Sequence, residues 1–129
     1  PIQNINNCVP QGSLLGPLLF IMYINDLQFI SNILDSFFYA DDSNSFITGN
    51  NIQDMCAILN KELCNINQWF LANKLKLNTV KTSCMVFHTK NKCIDINRMN
   101  VKIAGFDIPV VNTTKFLGVI LDNHLTWKY

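Results

Sequence analysis

The first 60 residues hold no lysine and no arginine. Their charged residues are Asp26, Asp35, Asp41, Asp42 and Asp54, so that half sums to −5. All ten basic residues lie beyond it, against Glu62, Asp95, Asp107 and Asp122, a sum of +6. The net charge of +1 therefore hides an acidic half and a basic half. Solvated surface lysines and an anionic partner both remain open for the basic half. Other scarcities exclude whole classes. Only 15% of residues are charged while 49% are hydrophobic, which excludes global disorder. Five glycines and four prolines exclude a collagen-like or low-complexity chain. The cysteines, Cys8, Cys56, Cys64, Cys84 and Cys93, contain no C-x-x-C pair and are odd in number. That argues against a zinc module or a secreted disulfide framework. They read as small buried hydrophobes in a reducing, intracellular compartment. His88 and His124 have no second His or Cys at ligand spacing, so they receive no metal role. The longest apolar run, residues 14–24, is interrupted by Gly16 and Pro17 and is too short to span a bilayer. No membrane partner is expected. No signal peptide is visible and the first residue is not Met, so the chain reads as a piece of something longer.

What is present fits one compact domain of 129 residues. Ser13 is placed to cap a helix over residues 14–27, with Pro17 in its first turn. Apolar residues cover every face of that helix, which predicts deep burial. Residues 36–40, the Asp41-Asp42 pair and residues 43–48 read as strand, tight turn, strand. A helix follows over residues 50–73, with a capping box from Asn50 to Gln53. Ile52, Met55, Leu59, Leu63, Ile66 and Phe70 form its apolar face. Residues 82–88 read as a strand. Residues 101–104 and 108–111 flank Gly105-Phe106-Asp107 as a hairpin, and residues 115–121 as one further strand. Trp69 and Trp127 are expected to pack in cores. The order predicts an α+β fold, antiparallel sheet against two helices.

Adjacent carboxylates after a hydrophobic strand repel each other and lose hydration, unless water or a cation resolves the conflict. A hard divalent ion takes one or two carboxylates plus substrate phosphates, as in phosphoryl transfer. Two turn-forming aspartates with no ligand fit the same residues.

The wider context is Val9-Pro10-Gln11-Gly12-Ser13-Leu14-Leu15-Gly16-Pro17, then Tyr23-Ile24-Asn25-Asp26-Leu27, then Tyr39-Ala40-Asp41-Asp42. It continues through Trp69, Asn73-Lys74-Leu75-Lys76-Leu77-Asn78, Lys81-Thr82 and Lys115-Phe116-Leu117-Gly118-Val119. This series resembles the reverse transcriptases of non-LTR (LINE-like) retrotransposons, in order, over nearly the whole chain. The resemblance implies an incomplete right-hand polymerase fold with a palm-type antiparallel sheet packed on two helices. Residues 1–27 would be motif B and its helix, 36–48 the YADD hairpin, 50–73 a helix, 82–121 strands with a primer-grip-like region, and 123–129 the thumb start.

The same resemblance implies the site. Pro10, Gln11, Gly12, Ser13 and Tyr39 would lie beside the incoming nucleotide and template. Asp41 and Asp42 would be the catalytic metal ligands, for Mg²⁺ or Mn²⁺. Lys81 would stand as proton donor to pyrophosphate, and Phe116, Leu117 and Gly118 would touch the primer. Partners would be RNA template, DNA primer, deoxynucleoside triphosphates and the rest of the polyprotein, in a nuclear or cytoplasmic ribonucleoprotein. Four positions depart from the family: Cys8 replaces its usual Gly, Tyr39 its usual Phe, and Asn44 and Ser45 are unusually polar. Residues 1–9 hold no Asp or Glu to serve as the family's third carboxylate. The isolated chain is therefore expected to be inactive. A degenerate or domesticated palm that binds nucleic acid without catalysis is the alternative.

Overall fold

The computed structural model describes residues 12–40 and 42–127. The chain divides into two compact units, Pro1–Phe46 and Ile47–Tyr129. The expectations for Pro10, Gln11 and Asp41 fall outside the described residues.

In the first unit, α1 spans Leu15–Ile24. Its cap position is Leu14, one residue later than expected. Ser13 still serves the helix start: its Oγ accepts from the Leu15 amide at 3.3 Å and its carbonyl from Gly16 at 3.3 Å. Beyond Ile24 the chain tightens into a 3-10 turn, Asn25–Phe29. Ser31 Oγ accepts from the amides of Ile33 and Leu34 at 3.2 and 3.0 Å and so leads the chain into the hairpin. Strand β1, Asp35–Tyr39, pairs antiparallel with β2, Asp42–Phe46. Ile24, Leu27, Ser31 and Leu34 are the buried residues.

The predicted deep burial of α1 does not occur. Ile24 is its single buried residue, while Leu15, Leu18, Leu19, Ile21, Met22 and Tyr23 are exposed. A helix apolar on all sides needs neighbours on all sides. Among its described residues the first unit offers one 3-10 turn and one two-stranded hairpin.

In the second unit, α2 spans Ile52–Ala72. Asn51, not Asn50, is its cap, and the Asn51 Oδ1 accepts from the Gln53 amide at 2.9 Å. The helix closes with Lys74 in the left-handed region at φ 54°. There the Leu75 amide donates to Phe70 at 2.8 Å and the Lys74 amide to Leu71 at 3.1 Å, the Schellman pattern. Ile52, Leu59 and Leu63 pack as the periodicity predicted, around a core of Cys56, Val101, Ile103 and Ile108. Asn60 ties α2 to the strand opposite. Its amide donates to the Asn100 carbonyl and its Oδ1 accepts from the Lys102 amide, both at 2.7 Å.

The strand expectations need three corrections. Residues 82–88 form no strand, only an isolated parallel bridge from Cys84 to Val110. Cys84 exchanges bonds with Pro109 and Val111 at 2.9 and 2.8 Å, and Pro109 has no N–H with which to extend a ladder. The second hairpin is shorter than expected. Its strands, β3 (Lys102–Ile103) and β4 (Phe106–Asp107), flank a two-residue turn at Ala104-Gly105, φ 52° and 82°. Residues 115–121 are two strands, β5 (Thr113–Phe116) and β6 (Val119–Asp122), reversed at Leu117-Gly118 with φ 47° and 89°. Among the described residues the strands form three separate two-stranded antiparallel ladders. The mixed α+β class stands.

Side-chain burial also corrects the sequence reading. Cys56 is buried and Cys84 half-buried, but Cys64 and Cys93 are exposed. Burial pushes the Cys84 thiol up, and neighbouring Cys56 adds to it, so Cys84 is held in its unreactive form. Trp69 meets Phe70 edge to face at 5.5 Å, whereas Trp127 is exposed.

Candidate nucleotidyl-transfer site

Hairpin β1–β2 carries the acidic pair. Tyr39 is opposite Asp42 in the ladder, and Ala40 leads out of β1 into the reversal between them. Ala40 takes φ 51°, the left-handed conformation that such turns demand. Asp42 opens β2, directly after that reversal. Asp42 is exposed there, as is Tyr39. Pairing also sorts the strand side chains by face. Phe37 and Tyr39 share one face with Asn44 and Asp42, and Phe37 meets Phe46 edge to face at 5.7 Å. Phe38 is on the other face, paired with Ser43, beside Ser36 and Ser45, whose hydroxyls are 3.0 Å apart.

Under the hairpin tip is a cavity of about 360 Å³, lined by Ile21, Ile24, Asn25, Gln28, Phe38, Tyr39 and Ala40. The Gln28 side-chain amide donates to Asn25 Oδ1 at 3.3 Å across the 3-10 turn. The structure thus groups Tyr39 with Ile21, Ile24, Asn25 and Gln28, to which sequence reasoning gave no site role. Their signal was modest: Asn25 and Gln28 are polar residues at i, i+3 directly after a helix that is otherwise apolar.

Gly12 and Ser13 do not line this cavity. Gly12 has φ 85°, which only glycine adopts without strain, and open space lies where its Cβ would stand. Lys81 is in the second unit, exposed, in a turn where its amide donates to Asn78. Phe116, Leu117 and Gly118 form the β5–β6 turn of that unit, with Leu117 exposed and Phe116 half-buried.

Among the described residues no group of three or more His, Cys, Asp or Glu side chains is set to hold a metal ion. The donor chemistry at the hairpin still suits a hard cation. Exposed carboxylate oxygen at a turn, with a second carboxylate next in sequence, matches an ion that completes its shell with water and phosphate oxygen.

The hairpin thus exposes Asp42 near a cavity lined in part by the preceding helix. The family model described as reverse transcriptase (RNA-dependent DNA polymerase) matches residues 2–121. The chain belongs to that family. It is 28% identical over 135 residues to a Drosophila melanogaster protein described as "Probable RNA-directed DNA polymerase from transposon X-element". That alignment takes in 98% of this chain and 14% of the relative. A second Drosophila melanogaster relative, "Probable RNA-directed DNA polymerase from transposon BS", is 28% identical over 131 residues, across 92% of this chain and 14% of the relative. The chain therefore spans about one seventh of the relatives it matches. No solved structure matches it.

Proposed function

We propose that this chain is the part of a non-LTR retrotransposon reverse transcriptase that runs from motif B to motif E, and that the intact protein copies RNA template onto a DNA primer from deoxynucleoside triphosphates. One observation carries the reading: the family match over residues 2–121 includes the β1–β2 hairpin, which exposes Asp42 beside a cavity lined by Tyr39 and Ala40. In this reading the ladders join one palm-type sheet when the rest of the polyprotein is present.

Asp41 and Asp42 would hold the divalent ions, Mg²⁺ or Mn²⁺. When bound, such ions supply charge stabilisation for in-line displacement at a phosphate. The remaining work belongs to side chains. Tyr39, on the Asp42 face of the hairpin, offers a ring and a hydroxyl to the nucleotide being added. Gly12 lets backbone approach the nucleotide closely, since no side chain intervenes. Lys81 holds a proton for the departing pyrophosphate. The turn Phe116-Leu117-Gly118 presses on the primer end. Such a protein works in a ribonucleoprotein, in nucleus or cytoplasm.

The test uses the intact parent. Asp41→Asn is expected to abolish most primer extension on an RNA template with Mg²⁺ while nucleic-acid binding is retained. Near-normal extension by that variant would remove the metal-ligand role.

A further inference from the structure

Two histidines 36 residues apart in sequence meet in the second unit. The rings of His88 and His124 are edge to face, with centroids 4.5 Å apart and planes at 75°. His124 Nδ1 is 3.0 Å from the His88 carbonyl oxygen, and His88 Nδ1 is 3.1 Å from the Thr89 carbonyl oxygen. A carbonyl oxygen only accepts, so each Nδ1 carries its proton and donates. In that tautomer the lone pair is on Nε2. Imidazoles that ligate metals are prepared in this way, with the non-ligating nitrogen donating to a carbonyl.

Spacing agrees. With metal–nitrogen distances of about 2.0–2.1 Å, two imidazoles at right angles on one ion have centroids about 4.5 Å apart, and about 5 Å at a tetrahedral angle. The observed separation equals the first value. The scaffold is also fixed on both sides. The His88 amide donates to the Asn123 carbonyl at 3.1 Å. The Asp122 carboxylate accepts from the amides of His124 and Thr126 at 2.9 and 2.8 Å, and from the Thr126 hydroxyl at 2.9 Å. That buried carboxylate places negative charge next to His124.

We propose that His88 and His124 form a two-imidazole site for a divalent transition ion of the Cu²⁺, Ni²⁺ or Zn²⁺ class, separate from the aspartates of the hairpin and independent of the polymerase reading. Imidazole selects these ions over Mg²⁺, which prefers oxygen. Among the described residues no third ligand completes a cluster, so water fills the remaining positions. The ion would fasten the segment ending at His88 to the end of β6.

The test is a Cu²⁺ titration of the 129-residue chain carrying Cys8→Ser, Cys64→Ser and Cys93→Ser, which removes the thiols exposed among the described residues, and Cys8 besides, as competing ligands. One ion per chain, an electron paramagnetic resonance spectrum split by two nitrogens, and no competition from excess Mg²⁺ are expected. His88→Gln and His124→Gln should each weaken binding more than about tenfold and remove one nitrogen from the spectrum, with circular dichroism unchanged. Absence of saturable binding, or affinity unaltered by both substitutions, would overturn the proposal. Should the substitutions unfold the chain, ¹⁵N shifts decide on the unsubstituted histidines: both Nε2 resonances must move on adding Zn²⁺, and if either stays in place the proposal fails.

Discussion

Asp122 shows how much one side chain can organise. Burial pushes its carboxyl up, but hydrogen bonds from Thr126 and from the His124 amide outweigh burial, and His124 adds charge in the same direction. Its folded-state pKa is lowered as a result. An unfolded aspartate titrates near a pKa of about 3.9. The stabilisation from Asp122 is therefore present above that value and is lost as pH falls through the lowered folded value. Urea midpoints followed from neutral pH into acid should decline below about pH 4, and decline less steeply in Asp122→Asn. Equal acid slopes in both proteins would remove Asp122 as the cause. The motif residues behave differently. Asp42 and Tyr39 are exposed and held by the ladder pairing between them. The residue types of the acidic pair were legible in sequence. The histidine pair was not, because only the return of β6 towards residue 88 brings the rings together.

At the scale of elements, Asn60 links α2 and β3 as a strand would. Its side-chain amide both donates to and accepts from one extended backbone. Asn60→Ala is expected to cost about 1–2 kcal/mol, read as a shift in urea midpoint at unchanged m-value. No shift would mean that water replaces the amide without loss. The helices were legible because three- and four-residue periodicity and capping chemistry survive in any tertiary context. Only their ends moved, by a residue or a few. The strands were less legible. Residues 115–121 read as one strand, and the reversal at Leu117-Gly118 shows only as backbone with positive φ.

For the whole molecule, the telling feature is α1. It is apolar on every face, yet Leu18 and Met22 are 54% and 66% exposed. In this chain, Leu18→Lys and Met22→Lys should each change stability by less than about 0.5 kcal/mol. Leu27→Ala, at a buried position, should cost about 2–5 kcal/mol by the same denaturation assay. A lysine penalty as large as the Leu27 one would show that α1 is covered in solution. The relatives are about seven times longer than the aligned stretch, so a helix with this composition has ample chain elsewhere in such proteins against which to pack.

The sequence by itself determined the family, the two helices, the α+β class and the acidic turn. Each of these rests on order, spacing or residue type, which need no distant contact to be read. Tertiary structure alone decided that the strands form three separate ladders, that α1 is exposed, and that Asn25 and Gln28 line the cavity with Tyr39. It alone joined Asn60 to β3 and His88 to His124. The physical reason is common to all of these. Burial and pairing depend on which remote segments arrive at a given surface, and neither periodicity nor composition carries that address.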